Sequence, residues 1–217
     1  MQQDVAARYL ALREITKRLN NEIMDMVVPA TFTEWARRIG LGHSLDVASE
    51  EERVLVMDLC VHAAKPGRTR AIDRFAQSAR APTDPEAAGV LKALRASKFS
   101  LWRVARPHPD VGLIVLNVVT EEETWLIDIG MAQSMKPGAG FAARLFWPGD
   151  FAMSAGIVIP MSGDLLLEML EGTPLLRSGI PEVALMTDPR FPVAVFRTAI
   201  AFDVMDRVRF RDPNAVA

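Results

Sequence analysis

Asp58 and His62 stand four residues apart in the helix-patterned stretch EEERVLVMDLCVHAAK, so both project from one face. A carboxylate there can fix an imidazole tautomer for general acid–base work or for metal binding. A metal needs further ligands, however. The other histidines, His43 and His108, are distant in the chain, and the HExxH, ExxH and CxxC spacings are absent, so no metal is expected. A polar strip on an otherwise apolar helix accounts for the same pair without chemistry. Cys60 lies about 200° around a helix from His62 and cannot face it, and it reads as a small buried hydrophobe. As the only cysteine it also excludes an internal disulfide and a Cys-cluster zinc or iron–sulfur site. The nucleophile elbow G-x-S-x-G and the phosphate loop G-x-x-x-x-G-K are missing, which removes sequence support for two common catalytic classes.

Just beyond His62, Lys65, Arg68, Arg70, Arg74 and Arg80 against Asp73 give an excess of +4 within sixteen residues. Guanidinium forks suit phosphates, and Arg68 and Arg70 stand near an expected helix start, so an anion contact is one reading and a solvated helix surface the other. No aromatic residue forms a stacking platform with these cations. A second group, Arg103, Arg106 and Arg144, falls among Trp102, Trp125 and Trp147 in strand-like sequence. It reads either as a charged recognition face or as ordinary ion pairing, with Asp128 opposite Arg144 across two strands. Gly138-Ala139-Gly140-Phe141-Ala142-Ala143 fits the letters of the dinucleotide fingerprint, but Lys136-Pro137 precedes it and Pro148-Gly149 follows, so a tight turn is expected.

These groups must be positioned by two kinds of element. Up to about residue 97 the pattern is helical. Positions 5, 9, 12, 16, 19, 23 and 26 put Val, Tyr, Leu, Thr, Leu, Ile and Met on one stripe. Leu10, Ile15, Met24 and Val27 widen it beyond a coiled-coil seam, so this helix should pack on its own core and end at Pro29. Thr31 with Glu34, and Ser49 with Glu52, have capping-box spacing and should open two more helices. Thr83-Asp84-Pro85 should open another. From 98 to 161 the period changes: 99–107, 112–119, 125–130, 140–147 and 151–160 are strand-length apolar stretches separated by short turns, which favours antiparallel neighbours. Helices return over 162–217, after Ser162 and again after Asp188-Pro189, and the tail RFRDPNAVA should fray. The expected fold is therefore α+β: a helical part over 1–97, a five-stranded antiparallel meander or small barrel over 98–161, and C-terminal helices on the same core.

The stretch LWRV, then GLIVLNVVTEEETWLIDIG and GFAARLFWPGDFAMSAGIVIPM, resembles the β-rich region of uncharacterised bacterial proteins of the SEC-C-associated type, over about a third of the chain. The features that carry it are Leu-Ile-Asp-Ile-Gly, Ala-Arg-Leu and Gly-Ile-Val-Ile-Pro. The cysteines of a SEC-C zinc motif are absent, so neither zinc nor a SecB-type partner is implied. The resemblance implies a bacterial helical-plus-barrel protein without established chemistry.

Composition narrows the function classes. With 25 basic against 27 acidic residues the net charge is −2, which argues against a dedicated nucleic-acid binder, and 50% hydrophobic content supports a folded core. The longest nearly uncharged apolar run, Phe151 to Met161, is too short to span a bilayer, and the first residues carry Asp4 and no apolar signal core, so no membrane and a cytoplasmic location are expected. The resulting expectation is a non-catalytic binding or regulatory module without cofactor, its partner another protein or an anionic ligand. The alternative is an enzyme on a small anionic substrate, with arginines binding it and Asp58/His62 as the acid–base pair. A third is an assembly protein using the first helix. A pocket placing His62 beside an arginine cluster would favour the enzyme, and a flat exposed face the binder.

Overall fold

The computed structural model describes residues 2–42, 48–173, 175 and 179–204, so His43 and the tail expected to fray lie outside the described residues. Helix α1 (Gln2–Met24) buries Tyr9, Leu12, Thr16, Leu19 and Ile23, the stripe expected from the spacing, with Val5 and Met26 half-buried at its ends. Leu10 does not belong to it and is 54% exposed. Pro29 does not end this helix; it begins α2 (Pro29–Ile39), where a proline in the first turn sacrifices no intrahelical hydrogen bond. The expected start at Thr31 is therefore displaced, and Val28 precedes the helix without a side-chain cap. Gly40, at φ 97°, closes α2 in the left-handed conformation.

The second capping box forms as expected. Ser49 Oγ accepts from the Glu52 amide at 3.1 Å while the Glu52 carboxylate accepts from the Ser49 amide at 2.8 Å, opening α3 (Glu50–His62). This helix is central, with Leu55, Val56, Leu59, Cys60 and Val61 all buried. A short α4 (Ala71–Ala76) occupies the basic segment, and α5 (Pro85–Arg95) starts at Asp84, whose Oδ2 accepts from the Ala87 amide at 2.8 Å.

Five strands follow, β1 (Lys98–Pro107), β2 (Leu113–Asn117), β3 (Glu123–Leu126), β4 (Gly140–Phe146) and β5 (Met153–Met161), all antiparallel, in the order β3-β2-β1-β4-β5. The first three run as a meander. The stretch expected to remain strand to residue 130 instead turns into α6 (Ile129–Ser134), because the Asp128 carboxylate accepts from the Met131 amide at 3.1 Å and caps a helix there. That helix carries the chain back, so that β4 and β5 add on the other side of β1. The sheet curls until its two edges touch at one end: the Ile127 amide donates to Ala152 O at 2.9 Å and the Ala152 amide to Trp125 O at 2.7 Å. Its concave face encloses Trp102, Val104, Val115, Phe141 and Leu145. Its other face packs Phe99, Leu101, Ala142 and Ile159 against α2, α3 and α9 (Arg190–Ala201) in one core, so helices from before and after the sheet share it. Two shorter elements, α7 (Gly163–Gly172) and α8 (Glu182–Leu185), lead into α9.

Curling brings the β1–β2 turn against the end of β3. At Gly112, φ is 85° and an added Cβ would stand 2.3 Å from Leu126 O, so no side chain fits. Gly112→Ala should cost about 3 kcal/mol or more through strain and backbone collision. Urea unfolding that shows no loss of stability would contradict this curvature.

Candidate functional site

One buried ion pair organises the site. Asp58 of α3 and Arg144 of β4 are each 6% exposed, joined by two parallel hydrogen bonds, Nε to Oδ1 at 2.8 Å and Nη2 to Oδ2 at 2.9 Å. This replaces the cross-strand Asp128–Arg144 pair expected from the alternation: Asp128 caps α6 and accepts from Ser154 Oγ at 2.8 Å, leaving Arg144 to the helix on its own side of the sheet. The β5 register explains the space around Arg144. Ala143 pairs with Val158 and Leu145 with Ser154, so three β5 residues bulge opposite Arg144. The bulge carbonyls are satisfied from α1, Ser154 O by Arg13 at 2.8 Å and Ala155 O by Asn20 at 3.0 Å. Burial pushes the Asp58 carboxyl upward, but the Arg144 charge and its hydrogen bonds outweigh that and hold Asp58 below the usual range.

His62, one turn beyond Asp58, is also buried, and its Nδ1 lies 3.4 Å from Ser97 Oγ. Burial first, and then the neighbouring Arg144 charge, push its pKa down to about 3, so the ring is neutral at physiological pH. Among the described residues no hydrogen bond joins it to Asp58. The carboxylate expected to orient His62 is committed to Arg144 instead. Cys60 is pushed up to about 12 by burial and then by Asp58, and it is inert as a nucleophile.

His62 and Arg144 form the floor of an open cleft of about 550 Å³. Its walls come from the loop after α3, the end of α5 and the loop before α9, contributing Lys65, Arg68, Arg70, Arg95, Ser97 and Pro189. Their charges are only partly answered. Asp73 accepts from Arg70 Nε at 2.6 Å and from Arg95 Nε at 2.9 Å, Lys65 pairs with Glu34, and Arg144 pairs with Asp58. Five cations thus meet three carboxylates, two positive charges remain in excess, and the Arg68 side chain has no partner among the described residues. Arg144 Nη1 likewise has none and is the nitrogen left to face the cleft.

Of the sequence candidates, then, Asp58, His62, Arg68, Arg70 and Arg144 converge. Arg74 is turned into its own segment, donating to Thr69 O at 2.6 Å, and Arg80 reaches Asp25 at 3.4 Å. Arg103 and Arg106 are exposed on β1, and Arg106 is held by Glu123 at 2.6 and 2.8 Å, so neither joins Arg144 in the cleft. Trp102 is core, its indole N–H donating to Ala143 O at 3.1 Å, while Trp125 stacks on His108 with centroids 4.1 Å apart. The G-x-G-x-x-A letters lead from a turn, with Gly138 at φ 89°, into β4 and not into a helix. Arg95 and Ser97 were missed. The one sequence signal is that Arg95 falls in the last turn of a helix, where the free carbonyls attract cations.

Residues 3–171 match the family described as Family of unknown function (DUF7986). No curated protein and no solved structure matches the chain.

Two outcomes test this geometry. Replacing one member of the buried pair, as in Arg144→Met, should cost about 3–5 kcal/mol because it strands a charge, while Asp58→Leu combined with Arg144→Met should restore most of the loss; a double variant as unstable as the single one would contradict the pairing. A pKa for His62 lowered from 6.5 to about 3 means that the unfolded chain binds a proton in that interval which the folded chain does not. Stability should therefore fall as pH drops from about 6.5 to about 3, by up to about 1.4 kcal/mol per pH unit. In His62→Gln this slope should flatten, and urea unfolding across the interval measures it.

Proposed function

The chain belongs to the DUF7986 family, of unknown function, and we propose that it works as a non-catalytic binding module for a small anionic ligand held in the cleft over His62 and Arg144. The observation that carries this reading is the convergence of cations on one concave site with two charges unanswered. Such a site, concave and with a rigid polar floor, is of the size that takes small molecules. Arg68 and Arg144 Nη1 offer donors that no acceptor among the described residues uses, and an anion oxygen is the natural complement. Buried Arg144 is fixed by Asp58 and Arg70 by Asp73, so these two guanidinium groups are ordered before any ligand arrives.

A second reading is favoured by one specific observation, the presence of His62 and Ser97 beside the arginines in the same cleft. It makes the protein an enzyme on a small anion, with His62 as the base. Against it stand the commitment of Asp58 to Arg144 and the low basicity of a buried imidazole with a pKa near 3. No helix among the described residues is long and apolar enough to cross a membrane.

Titration of pyrophosphate into the protein at low salt should release measurable heat, with affinity falling steeply as salt is added. Arg68→Gln should weaken binding about tenfold, as loss of a charged hydrogen bond does, while Arg74→Gln and Arg103→Gln leave it unchanged. Absence of binding, or equal losses from all three variants, would sink the proposal.

A further inference from the structure

We infer that the ligand carries, joined to its anionic group, a flat and largely apolar group, as a nucleoside diphosphate does. The inference rests on the anion reading of the cleft and extends it into the adjoining hollow. That hollow, of about 500 Å³, shares Ala64, Pro66 and Pro189 with the cationic cleft, so the two adjoin. Its character differs. Where the cleft is walled by guanidinium groups around a polar floor, the hollow joins the apolar surfaces of Pro66, Pro189, Val193 and Ala194 to a charged side made by Arg38, Arg197 and the Asp188–Arg190 pair.

One ordered polar feature of the hollow is a cation–π pair from α2. The Arg38 guanidinium lies over the Trp35 ring at 5.0 Å from the centroid, and its Nη2 donates to Glu34 at 3.3 Å. Trp35 is almost wholly buried, while the Arg38 side chain is 45% exposed, so it is the guanidinium that a ligand in the hollow meets. A planar delocalised group stacks well on a guanidinium. At the rim, Asp188 and Arg190 neutralise each other at 3.0 Å, while Arg197 has no partner among the described residues.

The charges thus order the two halves of the ligand. A phosphate group placed in the hollow would meet Arg197 but leave both Arg68 and Arg144 unanswered, and an apolar group placed in the cleft would bury unpaired donors. The favourable orientation puts phosphates over His62 and the base between Pro66, Pro189 and Arg38. An inorganic anion fills only the first half.

Calorimetric titration of the full chain at low salt with pyrophosphate, ADP and adenosine tests this directly. ADP should bind at least tenfold more tightly than pyrophosphate, and adenosine more weakly than ADP. Arg38→Ala and Val193→Ser should each reduce ADP affinity towards that of pyrophosphate while leaving pyrophosphate binding unchanged, and Arg38→Ala should leave the melting curve unchanged as well. Because Arg38 is exposed, its variant keeps the test valid should Val193→Ser fail to fold. If ADP binds no tighter than pyrophosphate, or tighter but with no effect of Arg38→Ala, the inference fails and the anion reading stands. If neither ligand binds, both fail together.

Discussion

A carboxylate placed in the middle of the most buried helix is the constraint on which the rest of the structure turns. Asp58 sits between Met57 and Leu59 on α3, with Leu55, Val56 and Cys60 packed around it, and an unpaired charge there would cost several kcal/mol. Its partner has to arrive from the sheet. Arg144 can serve because β5 bulges opposite it and makes room, and the bulge is tolerable because Arg13 and Asn20 of α1 take up its carbonyls. Helix, sheet and first helix are thus tied to one another through a single polar contact in otherwise apolar surroundings.

The same contact shapes the cleft. A bidentate pair uses Nε and Nη2 and leaves the last guanidinium nitrogen for the open side, so a group that is electrostatically satisfied still presents a donor. Asp73 repeats the device at the wall, where one carboxylate orders both Arg70 and Arg95 without cancelling the two. His62, kept neutral, adds no charge but can donate or accept. An anion in the cleft would offset the Arg144 field that depresses His62 and draw its pKa upward, so occupancy and protonation of this ring are linked.

Local rules were legible in the sequence wherever one residue type has one use. The stripe of α1, the box at Ser49 and Glu52, the cap at Asp84 and the five strand segments all depend on neighbours within a few positions. Reading failed where two local rules competed. Pro29 was a stop for one helix and proved the start of another, and Asp128 was an in-strand charge that proved a cap. For the site, Asp58, His62, Arg68 and Arg70 were visible by type and spacing because they follow one another along one segment. That Arg144 rather than His62 takes Asp58 was not visible, since the partners are 86 residues apart and their meeting depends on the strand order and on a bulge. Arg95 and Ser97 were nearly silent for the same reason: little around them distinguishes them until the fold brings the end of α5 to the end of α3.

The place of β1 at the middle of the sheet bears on how the chain assembles. The β1–β2–β3 meander and the β4–β5 hairpin each close through short loops, whereas the seam between β1 and β4 joins residues as distant as Trp102 and Phe141. Loop-closure entropy makes the two local units the early ones and the seam the late one. Arg144 stands on that seam. Until it forms, Asp58 has no cation, and α3 cannot enter the core without paying for a bare carboxylate, so it stays hydrated and loosely docked. Docking of the central helix and zipping of the central strands are therefore coupled, and the floor of the cleft, which Arg144 supplies, comes into being with them.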